Sequence, residues 1–247
     1  MISVVSKHLS LFYTRWPLDD SEYLGALHYI EQLRYRGEQF VRLCSENLKA
    51  PESFSPGIDV IGDELDHLYS SMIIWFELES FAKGAKSFLD HLWRVVGRHH
   101  PELRDHPDVK NQQYILKAFN KLRACDGPFT SSDAFYLIEQ MLEEWGRYWS
   151  GFRNFSEYAD PLGGMLSAAV GSIETRFDNG VRTQDILLPD QFPKYNENKQ
   201  DFSFSYDSRV MASESIGRVI DSIDRCFPGV VIEIHNKSIQ PTGGAGG

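Results

Sequence analysis

Apolar side chains recur at intervals of three and four along most of the stretch from Tyr23 to Phe152, which places them on one face of successive α-helices. Beyond Trp16-Pro17, where Asp19, Asp20 and Ser21 are candidate caps, the series Tyr23, Leu24, Leu27, Ile30, Leu33, Phe40, Val41 and Cys44 predicts a first helix, with Pro51 past its end. A longer one is predicted from about residue 58 to 97, carrying Leu65, Leu68, Met72, Phe76, Phe81, Ala85, Phe88, Leu92 and Val96, with Gly62 and Gly84 as the points where it could bend. From Arg98 to Pro107 the composition turns polar and predicts a loop. A third helix is predicted from about Val109 to Arg123, ended by Asp126-Gly127-Pro128. A fourth opens at Ser131 or Ser132 and runs through Phe135, Ile138, Leu142, Trp145, Trp149 and Phe152. Four helices of this kind pack as a bundle.

After Pro161 and Gly163-Gly164 the pattern changes. Ile173 to Phe177 and Val181 to Leu188 flank Asn179-Gly180, a pair suited to the positive φ angles of a tight hairpin turn. Phe202, Phe204 and Tyr206 alternate as a short strand, a last helix is predicted from about Ser208 to Cys226, and Val230 to Ile234 is a further strand candidate. The predicted fold is therefore mainly α, a helical core over residues 1–160 with a small α+β extension over 161–239 packed on it, and a flexible glycine-rich tail over 240–247.

Hydrophobic residues make up 42% and charged residues 24%, the balance of a globular protein. The net charge of −10 repels nucleic acid as a whole, so any RNA contact has to be local. No apolar run approaches the ~20 residues that span a bilayer, and Met1 to Trp16 lacks the pattern of a secretory leader, so the expectation is a cytoplasmic protein with no membrane contact. Cys44, Cys125 and Cys226 are odd in number and far apart, which predicts buried thiols in place of disulfides or zinc ligands. Neither a phosphate-binding glycine loop nor a G-x-S-x-G nucleophile turn is present, and no cofactor is expected.

Two segments carry a family resemblance. The run from Glu77 to Leu92 (ELESFAKGAKSFLDHL) resembles the opening core helix of uncharacterised members of the HEPN superfamily, whose four-helix domains include many RNases. Trp149 to Tyr158 (WSGFRNFSEY) resembles the Arg-Asn segment from which that superfamily builds its catalytic motif, and Leu187 to Asp190, Phe202 to Phe204 and the final helix resemble the C-terminal extension of some members. The resemblance implies a four-helix HEPN-like bundle acting as a homodimer, with Arg153, Asn154 and Tyr158 at a metal-independent endoribonuclease site. In active members a histidine follows the arginine by a few residues, moving the proton of a 2′-hydroxyl while the arginine stabilises charge on the phosphate. Here Tyr158, Ala159 and Asp160 stand at those positions, and tyrosine with a pKa near 10 is a poor base at neutral pH. The functional expectation is a degenerate or weak RNase, or an RNA-binding module. The alternative is a non-catalytic component of a bacterial defence or toxin–antitoxin-type system that contacts a partner protein.

A literal Arg-x4-His match occurs at Arg94 and His99, where the long helix is expected to end, and is kept as a second candidate site; a solvated helix end with cations opposing the dipole is the favoured explanation of these residues. His91, His99, His100, Glu102, Asp105 and His106 crowd together without a spacing diagnostic of metal, so no metal is expected and the group reads as solvated polar surface. Glu64-x-x-His67 has no second copy, which a di-iron bundle requires. Trp145, Tyr148, Trp149, Phe152 and Phe155, beside Arg147 and Arg153, would stack bases if exposed, but their spacing predicts core or interface packing.

Overall fold

The computed structural model of the chain describes residues 20–46, 60–158, 172–178, 181–190, 192 and 209–239. The described part is mainly helical. Two long helices, α1 (Asp20–Glu46) and α2 (Val60–His99), lie along one another. Two short ones follow, α3 (Pro101–Asp105) and α4 (Ile115–Leu122). Helix α5 (Asp133–Met141) passes through one π-helical turn (Leu142–Gly146) into α6 (Arg147–Tyr158), which packs on α2. A three-stranded antiparallel sheet in the order β1 (Ser172–Asp178), β2 (Val181–Pro189), β3 (Arg209–Met211) leads into α7 (Ala212–Ile239), which packs along α5.

One apolar cluster joins these elements, running from Ala26 on α1 to Ile234 on α7. Its centre is aromatic. Phe81 of α2 meets the edge of Trp149 at 4.9 Å, Phe88 stacks on Trp145 at 6.5 Å, and Phe227 of α7 closes on Phe88 from the other side at 5.9 Å. Gly146, in the π turn, allows this approach, because a Cβ there would stand 3.0 Å from both Leu142 and Leu89. The aromatic residues Trp145, Trp149, Phe152 and Phe155 are thus buried core, and Tyr148 is half-buried with its hydroxyl donating to the Pro189 carbonyl at 2.9 Å. None of the four buried rings presents a face for base stacking.

Two helix ends are closed by carboxylates distant in sequence. Asp185 of β2, only 6% exposed, accepts from the backbone N–H and hydroxyl of Ser213 at the start of α7, and from its neighbour Ile186 N–H at 2.7 Å. Glu233 of α7 accepts from Ala134 N–H at the start of α5, where Ser132 also accepts from Phe135 N–H at 3.2 Å. Free N–H groups at helix starts need such acceptors when water is excluded.

The hairpin register places Ile173 opposite Ile186 and Asp178 opposite Val181, around the predicted Asn179-Gly180 pair, which itself lies outside the described residues. Other expectations are corrected. Val230 to Ile234 is not a strand, because α7 continues through Pro228 to Ile239 with Val230, Val231 and Ile234 buried. The third helix starts at Ile115 and not at Val109, since the backbone from His106 to Gln112 closes turns of its own, among them Lys110 N–H to His106 O at 3.0 Å. Within the expected Arg98 to Pro107 loop, α2 runs on to His99 and Pro101 opens α3 as its first residue. The alternating Phe202 to Tyr206 segment, the Gly163-Gly164 break and the 240–247 tail lie outside the described residues.

Two glycines make opposite predictions. A Cβ on Gly37 of α1 would stand 2.8 Å from the Ile216 methyl Cγ2 of α7, whereas one on exposed Gly217 would meet nothing within 4 Å. Gly37→Ala is expected to destabilise by about 1–2 kcal/mol through overpacking. Gly217→Ala is expected to stabilise by up to about 1 kcal/mol through helix propensity. Urea titrations of the two variants check the pair, and a stabilised Gly37→Ala would show that α1 and α7 are not in contact there.

Candidate functional site

Arg153 and Asn154 lie on α6 opposite its aromatic face, and the fold does bring them together: Arg153 Nη1 donates to Asn154 Oδ1 at 3.2 Å. The same guanidinium is ion-paired through Nη2 with Glu157, one turn later, and the Ser156 hydroxyl donates to the Arg153 carbonyl at 3.0 Å. Its charge is therefore balanced within its own helix, with the side chain only 22% exposed. Tyr158 is the last residue of α6, and its side chain lies outside the described part, as do those of Glu64 and His67.

The second candidate, at the far end of α2, has a different environment. The His99-His100 doublet diverges. His100 is fully buried, its ring edge-on to Phe129 at 4.7 Å and its Nδ1 3.2 Å from Glu102 Oε1. The expectation that this histidine group is solvated fails for His100, because Pro101 turns the chain and folds the ring under the Phe129 side of the core. His99 is half-buried, and burial, then Arg104 and Arg98, hold its pKa below the ordinary imidazole value. Among the described residues no group of three or more His, Cys, Asp or Glu is placed to hold a metal ion.

Arg94 opens onto a cleft of about 450 Å³ formed by the last turns of α2, by α3 and by the turns leading into α4. Its floor is apolar and buried: Trp93, Leu103 and Val109. Trp93 is fixed by its indole N–H, which donates to the Gln112 carbonyl at 2.8 Å, and Arg104 donates to the Arg98 carbonyl near the end of α2. The rim carries Arg94, Arg104 and Lys110 with the amides of Asn111 and Gln113, and no carboxylate of a described residue lines it. None of these three cations forms an ion pair with a described residue.

That separates them from Arg34, Arg36, Arg123, Arg147, Arg153 and Arg225, each of which has a carboxylate partner. Asp90, the nearest acid on α2, is itself engaged by Lys86 Nζ at 2.7 Å and by Ile115 N–H at 3.2 Å. Past the rim, Lys86, already paired with Asp90, and Lys117 approach the exposed Tyr114 ring at 4.5 and 5.3 Å. Several cations over an apolar, low-dielectric floor attract an anion more strongly than the same cations in open water.

Of the pair singled out in the sequence, Arg94 lines this cleft and His99 does not. The two candidate sites are also far apart. Trp75 stacks on Phe152, next to Arg153, at 6.4 Å, while Trp93 forms the cleft floor, so the sites lie roughly 27 Å apart along α2 at 1.5 Å per residue. One chain cannot apply both to a single phosphate. Arg104, Lys110, Asn111 and Gln113 escaped the sequence reading; the signal for the last three was the absence of any acidic residue from Val109 to Cys125 in a chain of net charge −10, and Arg104, between Glu102 and Asp105, had none.

Two of the three cysteines are the buried thiols expected, and Cys125 is only half-buried. All three are free, Cys44 and Cys226 are buried, and burial with the nearby Asp185 charge pushes the Cys44 thiol up to about 12, far from a reactive thiolate. No described helix is long and apolar enough to cross a membrane. Compared with family models, with curated proteins and with solved structures, the chain matches none of them.

Proposed function

We propose that this chain is a HEPN-like helical protein that binds single-stranded RNA through the cleft at the end of α2, and that it acts as a binding module and not as a nuclease. The observation that carries this reading is the convergence of Arg94, Arg104 and Lys110, all without ion pairs to described residues, on one concave surface of an acidic protein. Cations so placed repel one another and are stabilised by a polyanion. The HEPN-like part rests on the two resembling segments, which pack on each other through Phe81 and Trp149. Binding without cleavage follows from the missing histidine and from the pairing of Arg153 with Glu157, which a phosphate would have to displace.

The test is fluorescence anisotropy with a labelled single-stranded RNA across a salt series. Replacing Arg94, Arg104 and Lys110 together by alanine is expected to weaken binding by about 10–100-fold and to reduce the slope of log K against log salt by about 2, as for three lost phosphate contacts. Arg153→Ala should leave both quantities unchanged, and no cleavage should appear in EDTA. Wild-type affinity in a folded triple variant would remove the cleft from consideration. RNA cleavage lost on Arg153→Ala would restore the nuclease reading.

A further inference from the structure

Between Gln112 and Ile115 the chain is held on α2 at two points. The Gln112 carbonyl accepts from the Trp93 indole N–H at 2.8 Å, and Ile115 N–H donates to Asp90 Oδ1 at 3.2 Å. Tyr114 stands between these anchors, 47% exposed, and its hydroxyl makes no hydrogen bond to a described residue. The ring is thus presented on a backbone already fixed, which lowers the entropy cost of engaging it. Tyr35 and Tyr136 are more exposed, but neither is next in sequence to a cleft residue. Tyr114 follows Gln113, which lines the cleft, and has lysines of two helices at its ring, Lys86 of α2 at 4.5 Å and Lys117 of α4 at 5.3 Å. Lys86 and Asp90 balance each other as an ion pair at 2.7 Å, whereas Lys117 pairs with no described carboxylate. Lys86, at the ring, and Arg94, on the cleft rim, are roughly 12 Å apart along α2 at 1.5 Å per residue.

A nucleic-acid base outcompetes a lysine for such a ring. An exposed ammonium over an aromatic is held by about two- to fivefold, and a base stacked there by about five- to 150-fold. A string of carboxylates offers the cations the same charge and the ring nothing.

We infer that the RNA-binding surface extends past the cleft to Tyr114, whose ring stacks an unpaired base of whatever identity, while Lys117 takes the phosphate beside it. This rests on the RNA reading above and deepens it by supplying the reason for single strands, whose bases are free to splay onto an aromatic side chain.

The experiment compares a labelled uridylate pentamer with an abasic pentamer of the same backbone and charge across a salt series. Wild-type protein should bind oligo(U) about tenfold more tightly than the abasic chain, the contribution of one stacked base. Tyr114→Ala should abolish that preference by weakening oligo(U) alone, and Tyr114→Phe, which keeps the ring, should retain it. Lys117→Ala should weaken both chains alike and reduce the slope of log K against log salt by about 0.7; an unchanged slope would remove Lys117 from the assignment. Equal affinities for the two chains in wild type, or equal losses of both in Tyr114→Ala, would overturn the stacking while leaving the cleft reading intact, provided the three-cation variant loses binding. Wild-type binding of both chains by the three-cation variant would overturn the RNA reading itself. Displacement of oligo(U) by polyglutamate of matched charge, as efficient as by unlabelled oligo(U), would assign the surface to an acidic peptide and overturn both.

Discussion

Trp149→Ala is expected to lower stability by about 3–5 kcal/mol, the range for truncating a large buried aromatic. Trp149 is fully buried on α6, in edge contact with Phe81 on α2 and with Phe152 one turn along at 5.7 Å, so its loss opens the contact between two core helices. Trp149→Phe separates volume from polarity. The indole N–H is buried and makes no hydrogen bond to a described residue, so phenylalanine removes an unsatisfied donor along with part of the ring. An unmet buried donor costs about 1–3 kcal/mol, comparable to the lost contact area, and the net change should stay within about 1 kcal/mol. Urea unfolding of both variants decides it. A phenylalanine variant as unstable as the alanine one would mean that the N–H has a partner after all.

The second large effect belongs to Asp185. Alanine there is expected to cost about 3 kcal/mol, because the N–H groups of Ile186 and Ser213 and the Ser213 hydroxyl lose their acceptor at the buried start of α7. Asparagine keeps an acceptor oxygen for the N–H groups and offers its NH2 to the hydroxyl, so it should stay within about 1 kcal/mol at pH 7. The pH dependence tells the two carboxyl states apart. Burial raises the Asp185 pKa above 3.8 despite the hydrogen bonds that oppose the rise. The folded protein therefore holds a proton over a window in which the unfolded chain has released it, and stability from this group falls as pH rises from 3.8 through the folded value. Between pH 4 and pH 7 the wild type should lose stability relative to Asp185→Asn. A relative gain would place the folded pKa below the ordinary carboxylate range.

Much of the helical fold was legible because its causes are local. The three-and-four spacing that defines α1 and α2 is read directly from the chain, and the hairpin is announced by Asn179-Gly180 between strand-like segments. The second half of α7 was hidden for a physical reason. Pro228-Gly229 lowers helix propensity by several kcal/mol, and Val230-Val231-Ile232 favours a strand locally. Burial of Val230, Val231 and Ile234 overrides both preferences, and Gly229 is matched to Leu137, which would stand 2.6 Å from a Cβ at that position.

At the candidate sites the division is similar. The Arg153 pair with Glu157 sits at the i,i+4 spacing and could be anticipated. The burial of His100 under Phe129 depends on residues far apart in the chain, and so does the convergence of Arg94, Arg104 and Lys110 from three segments. The long stretch without acids after Asp108 pointed to Lys110 alone among the three.

The distant carboxylates that close α5 and α7 bear on how quickly the chain can reach this state. Ala134 N–H finds its Glu233 acceptor 99 residues away, and Ser213 finds Asp185 28 residues away. Neither bond can form until the intervening chain has looped back, so each delays the reward for forming its helix until after the entropy of closure has been spent. Folding should accordingly be slower than in an up-and-down bundle of the same helical content, with α7 docking late and α5 acquiring its final acceptor only at that step.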